Sequence, residues 1–242
     1  MSALPAVKWY RYETLDSTNH EARRLVQSGA FSVPAVVIAE RQTAGRGRQG
    51  KTFYSPARTG IYMSIVTDFP QDANDAALLT IRTSVAVADA IREQTGIETG
   101  IKWVNDLYVG TRKVCGILTE SVLNGEKRCA IIGIGVNVST ECFPAELDGK
   151  AGSLGAAAQC SADTLPAAIL AHVLRIPENG LRYLDEYKKR SVVIGKEVTY
   201  ERGGVLKKGR AIDIDGSGAL LIDLGAGKRD LLQSGEISLK TW

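Results

Sequence analysis

The chain has 242 residues, 44% hydrophobic and 24% charged, with 30 Lys and Arg against 27 Asp and Glu. That is the make-up of a globular protein with a sizeable core, long enough for one large domain or a large and a small one. The formal net charge of +3 gives no reason to expect a nucleic-acid partner, the first residues lack the apolar core of a signal peptide, and no run is long enough to span a membrane.

The first element is a strand over "VKWYRYE". It leads into a helix within "DSTNHEARRLVQSG", where Thr18 and Glu21 have capping-box spacing and Gly29 is a C-terminal stop. Ala35 to Glu40, "AVVIAE", is apolar and β-branched and reads as a strand. Next comes "GRGRQGKT", Gly45 to Thr52. It fits both the phosphate-binding G-x-x-x-x-G-K-T and the dinucleotide fingerprint G-x-G-x-x-G, yet both need a helix straight after the loop. Pro56 and Gly60 break any such helix and Ile61 to Val66 reads as a strand, so neither motif has its context.

Asn74 to Gln94 carries Leu78, Ile81, Val85, Ala88 and Ile91 at helical spacing. Short strands follow over "GIKWVN", "DLYVG", "KVCGILTESVL" and "RCAIIGIGVNV", the last two joined by Asn124-Gly125, a strong hairpin signal. A helical stretch from Leu165 to about Lys188 is interrupted by Pro177 and Gly180, and from Val192 the chain turns to about five short strands with glycine turns. The expected fold is α+β: a mixed β-sheet domain with flanking helices over residues 1–189, and a small SH3-like β-barrel over residues 190–242. Cys115, Cys129, Cys142 and Cys160 show no C-x-x-C spacing and read as reduced thiols of a cytoplasmic protein.

Four polar clusters carry the chemistry. Asp16 to Asn19, "DSTN", offers donors and acceptors, though it also reads as a plain helix cap. The loop Arg41 to Lys51 combines arginine forks suited to carboxylate or phosphate with glycines that let backbone approach a ligand; a solvated surface loop is its bland alternative. "KWVNDLYVGTRKVCG" crowds Lys102, Asn105, Asp106, Arg112 and Lys113 around a strand-turn-strand unit, and "GIGVN" interrupts an apolar strand with glycines that mark a close approach.

In this order, "DSTN", "QTAGRGRQGKTF", "KWVNDLYVGTRKVCGIL" and "IIGIGVNV" closely resemble the biotin protein ligases, over most of residues 10 to 140. Val104 stands where that family usually has the proline of "KWPND". The resemblance implies ATP-dependent formation of biotinyl-5′-adenylate, with Mg²⁺ at the phosphates, then transfer to a lysine of a biotin carboxyl carrier protein. It implies a biotin-contacting set of Ser17, Thr18, Asn19, Gln42, Arg46, Gly47, Arg48, Lys113 and Gly116. Arg46, Arg48, Lys51, Phe53, Lys102, Asn105 and Asn137 would meet the nucleotide, with Phe53 covering the adenine. Lys113 and Arg48 would act at the reacting centre, and Asp106 would assist deprotonation of the acceptor lysine. No metal ligands are assigned. Trp103 reads equally as a wall of the biotin pocket and as core. Dimers are common in the family, though no interface signature is visible here.

Two other readings compete: a lipoate or octanoate ligase or transferase of related fold, and a nucleic-acid-binding protein using the arginine loop. The first lacks the "GRGR" loop in this setting. Against the second, the catalytic pattern begins by about residue 8, which leaves no room for an amino-terminal helix-turn-helix domain.

Overall fold

The computed structural model describes residues 6–29, 32–69, 76–155, 158, 163–176 and 181–239. Alternating and continuous apolar runs form the strands β1 (Lys8–Leu15), β2 (Ala35–Gln42), β3 (Gly60–Asp68), β4 (Gly100–Lys102), β5 (Asp106–Val109), β6 (Arg112–Asn124) and β7 (Lys127–Asn137). They make one mixed sheet in the order β1-β2-β3-β7-β6-β5-β4, with β1 parallel to β2 and the other neighbours antiparallel. β6 and β7 turn back at Gly125, whose φ of 61° suits the tight hairpin read from the sequence.

Helix α1 (Thr18–Ser28) ends at Gly29, which adopts the left-handed conformation and donates its N–H to Val26. The expected capping box does not form. Ser17 is the N-cap without a side-chain cap bond, and the Thr18 hydroxyl turns inward to Gln42 and Ser64. Local spacing could not reveal those partners, because both come from distant strands. Helix α2 (Ala76–Thr95) is buried on every side from Leu79 to Ala88, with Leu79, Ala86 and Val87 in the core of the main sheet; Asn74, where its start was expected, lies outside the described residues. The later helical stretch is two helices, α3 (Leu165–Leu174) and α4 (Leu181–Arg190). The proposed breakers Pro177 and Gly180, like Cys160, lie outside the described residues.

The five carboxyl-terminal strands β8 (Glu197–Arg202), β9 (Val205–Ile214), β10 (Leu220–Gly225), β11 (Lys228–Leu232) and β12 (Ile237–Leu239) form an antiparallel sheet, ordered β11-β10-β9-β8-β12. This sheet does not fold over a private core. Val198, Tyr200, Ile214, Leu220 and Ile237 pack with Ile81 and Val85 of α2, with Trp103, and with Tyr187 of α4. Trp103 donates its indole N–H to the Gly218 carbonyl at 3.0 Å, so one buried side chain fastens the two sheets. The two readings of Trp103 are both met: it is 4% exposed in this core and also borders the cleft described next.

Candidate active site

A cleft of about 690 Å³ opens above the strands β7, β6 and β5. Every site residue expected from the sequence lines it except Asn137. Its floor is a chain of short polar contacts. Gln42, at the end of β2, accepts from the Thr18 N–H at 2.8 Å and the Thr18 hydroxyl at 3.2 Å, and its own amide donates to Ser55 Oγ at 2.8 Å. Ser64 Oγ of β3 lies 2.8 Å from Thr18 Oγ1 and 2.6 Å from Asn19 Oδ1. Thr18, Asn19 and Ser64 are buried, where unpartnered polar groups would be costly. Ser17 is buried beside them, and its N–H bonds Asp16. The Arg24 guanidinium, with Ser17 N–H and His20, holds the Asp16 carboxyl well below its usual range.

The glycines of β7 mark close approaches, and the approaching groups are side chains of this chain, where a ligand or another backbone was expected. A Cβ on Gly133 would stand 2.1 Å from Asn19 Oδ1, and one on Gly135 would stand 2.6 Å from the Phe53 ring. Phe53 meets the edge of Tyr62, with centroids 6.4 Å apart, and borders Gly116.

The roof is the basic loop. Thr43 and Ala44 hang from the carbonyls of Leu15 and Asp16, at 2.9 and 2.8 Å. The loop then closes as a miniature hairpin, with Arg46 opposite Thr52, Gly47 N–H bonded to Lys51 at 2.7 Å, and a single 3₁₀ turn at Arg48–Gly50. Three of its cations have a carboxylate or amide partner: Arg46 to Glu120 at 3.3 Å, Arg48 to Asn105 at 3.3 Å, and Lys51 to Glu236 at 2.5 Å.

Lys113 and Asp106 face each other across the β5–β6 turn, 2.7 Å from Nζ to Oδ1. Lys102 stands behind them over the Tyr108 ring. Burial pulls the Lys102 ammonium below its ordinary value; Lys113 and Lys51 push the same way, against Asp106 and Glu236. Asn105 donates to the Ile117 carbonyl at 2.8 Å and so ties the "KWVND" turn to β6. The backbone of Lys113 pairs with the 150–152 segment, bringing Leu147, Gly149 and Lys150 to the rim.

Asn137 stands apart from the lining. Its amide donates to the Gly152 carbonyl at 2.9 Å, so it braces the rim segment from behind. Three contributions escaped sequence reasoning: the rim around Lys150, the carboxyl-terminal stretch Gly235–Leu239 that supplies a wall, and Glu120. Only Glu120 left a signal, as the one charge inside "GILTESVL".

Residues 12–137 match the biotin/lipoate A/B protein ligase family, and residues 193–240 match the biotin protein ligase C terminal domain. The chain belongs to the biotin protein ligase family. It is 33% identical over 234 residues to the biotin–[acetyl-CoA-carboxylase] ligase of Mycobacterium tuberculosis, covering 91% of this chain and 85% of that one. It is 32% identical over 228 residues to the bifunctional ligase/repressor BirA of Bacillus subtilis, covering 89% of this chain and 69% of that protein. The biotin protein ligase of Aquifex aeolicus, solved with biotin and ATP, superposes with a TM-score of 0.78 at 26% identity, covering 96% of this chain and 98% of the other.

Proposed function

We propose that the chain joins biotin to ATP as biotinyl-5′-adenylate, releases pyrophosphate, and passes the biotinyl group to a lysine of a biotin carboxyl carrier domain. The observation that carries the reading is the meeting of a neutral, buried hydrogen-bonding floor with a cationic roof at Lys113. A bicyclic urea suits the floor, which is lined with hydroxyls and amides beside Phe53. Attack of a carboxylate oxygen on the α-phosphorus brings two anions together, so catalysis is chiefly positioning and cationic stabilisation. Lys113, Arg46, Arg48, Lys51 and Lys102 all border the cleft and supply it.

The first step forms the carboxyl O–P bond and breaks the α–β phosphoanhydride. In the second, the acceptor amine attacks the carbonyl carbon and AMP leaves. Asp106, held 2.7 Å from Lys113, is the group assigned to receive the amine's proton. Among the described residues no three His, Cys, Asp or Glu side chains cluster as a metal cage. Mg²⁺ takes one or two carboxylates plus phosphate oxygens, so it would arrive with the phosphates of ATP; no residue of this chain is assigned to it.

The proposal takes residues 1–189 and 190–242 as the two domains, supported by the change from one sheet to the other between β7 and β8. It places the protein in the cytoplasm, supported by the free thiols of Cys115, Cys129 and Cys142, and includes a homodimer, on family likeness. It includes no affinity for duplex DNA, supported by the near-balanced charge; fluorescence polarisation with random duplex and sedimentation test these last two. Biotin-dependent exchange of labelled pyrophosphate into ATP is the primary test. Exchange with biotin and none with lipoate or octanoate is expected; exchange driven by lipoate or octanoate and not by biotin would overturn the reading.

A further inference from the structure

Glu120 sits on β6 with its carboxylate turned toward helix α1 and the loop. Its Oε2 accepts from Asn19 Nδ2 at 2.8 Å, and its Oε1 accepts from Arg23 at 3.2 Å and Arg46 at 3.3 Å. The Asn19 amide also donates to the Leu118 carbonyl at 3.4 Å, while Asn19 Oδ1 accepts from Ser64 at 2.6 Å. An asparagine side chain is nearly symmetric in shape, and its neighbours alone decide which end is oxygen. Here they decide firmly. An ionised carboxylate and a carbonyl can only accept, so both Asn19 N–H groups are committed to Glu120 and Leu118. The oxygen then projects over Gly133, where the missing side chain leaves it room. Oxygen has two lone pairs, and Ser64 uses one.

We propose that Glu120 is a positioning residue that fixes the sense of the Asn19 amide, so that the cleft presents an acceptor to an N–H of the bound ligand's urea. The proposal rests on the biotin reading and goes one step further, to how the pocket recognises the ureido ring. Two neighbouring guanidinium groups sharpen it. In Glu120→Gln the carboxamide oxygen is claimed by Arg23 and Arg46, and its NH₂ turns toward Asn19. Asn19 must then turn over and show the cleft a donor. In Glu120→Ala nothing on β6 orders the amide.

The test is a ligand-and-variant cycle measured by calorimetry on the whole protein. The ligands are biotin and the two cyclic carbamates in which one or the other ureido N–H is replaced by a ring oxygen. In the wild type one carbamate should bind about tenfold more weakly than biotin, the size of one lost neutral hydrogen bond. In Glu120→Gln, and in Glu120→Ala, biotin itself should bind about tenfold more weakly and the carbamate penalty should fall within about twofold. A Glu120 with only a scaffolding part would weaken all three ligands equally. A carbamate penalty that survives in both variants overturns the proposal, as does a wild type indifferent to both carbamates. Wild-type protein that binds no biotin overturns instead the functional reading beneath it. Glu120→Gln preserves side-chain volume, so the cycle stands if Glu120→Ala fails to fold.

Discussion

On the floor of the cleft, Thr18, Asn19 and Ser64 are almost wholly buried and exchange neutral hydrogen bonds of 2.6 to 3.2 Å with one another and with Gln42. On the roof, Arg46 and Lys51 are exposed, with side-chain accessibilities of 38% and 63%, and each has one carboxylate partner. The floor is held from many directions and cannot shift one group without leaving another unpaired. Surface ion pairs like those of the roof are worth little and weaken with salt. A rigid neutral surface suits discrimination of a neutral ring, and a loosely tied cationic flap suits anions that change between steps.

The largest break in this division is expected where floor and roof meet. Lys113→Ala removes the cation assigned to the reacting centre while β5 and β6 keep their ladder. Pyrophosphate exchange should fall by about 10²–10³, with an unchanged circular dichroism spectrum. Exchange within a few-fold of wild type would dislodge Lys113 from its role.

Arg48→Gly attacks the roof alone. It removes the contact to Asn105 and loosens a turn in which Gln49 already has a φ of 54°. Adenylate should still form, but lose one charge-assisted bond worth roughly 1.5–3 kcal/mol, about tenfold to a hundredfold in escape rate. Released adenylate acylates lysines at large, so a streptavidin blot of an unrelated bystander protein reads the leak. Bystander labelling no stronger than with wild type would show that another group retains the intermediate.

Gly133→Ala attacks the floor alone by driving a methyl group into Asn19. Overpacking of this kind costs roughly 1–3 kcal/mol, so biotin affinity should drop about fivefold to a hundredfold while the ATP KM stays within about twofold. Equal damage to both substrates would mean that floor and roof are not separable.

The smallest effect concerns Lys102. Burial lowers its pKa, so as pH rises the cleft loses this charge before a free lysine would. Between the folded value and the ordinary lysine value the unfolded chain binds more protons, so this group's contribution to stability rises with pH. Lys102→Arg keeps its charge throughout. Its exchange rate at neutral pH should lie within a few-fold of wild type, and its alkaline limb should move to higher pH. An unmoved limb would assign that ionisation elsewhere.

The strands, the hairpin turn at Gly125 and the helix stop at Gly29 were legible because each depends on neighbours in sequence. The loop was legible as functional because arginine forks and glycines stand together in one short stretch, a local fact. What stayed hidden was joined across the chain. Thr18 left its capping box for Gln42, 24 residues away. Asn19 and Glu120 meet across 101 residues, and Lys51 and Glu236 across 185. The nucleotide contact expected of Asn137 comes from the family resemblance alone, and Asn137 stands outside the cleft lining. Its bond to Gly152 depends on a loop whose path no periodicity records.

That the stretch Gly235–Leu239 walls the cleft has a consequence for the birth of the molecule. Synthesis runs from the amino terminus, so the loop, the floor and Lys113 leave the ribosome well before β12 exists. Until that strand pairs with β8 and Glu236 reaches Lys51, the nascent chain holds a cleft with one side open. A polypeptide lacking residues from 235 onward would carry every reactive group named above and lack the wall beside them.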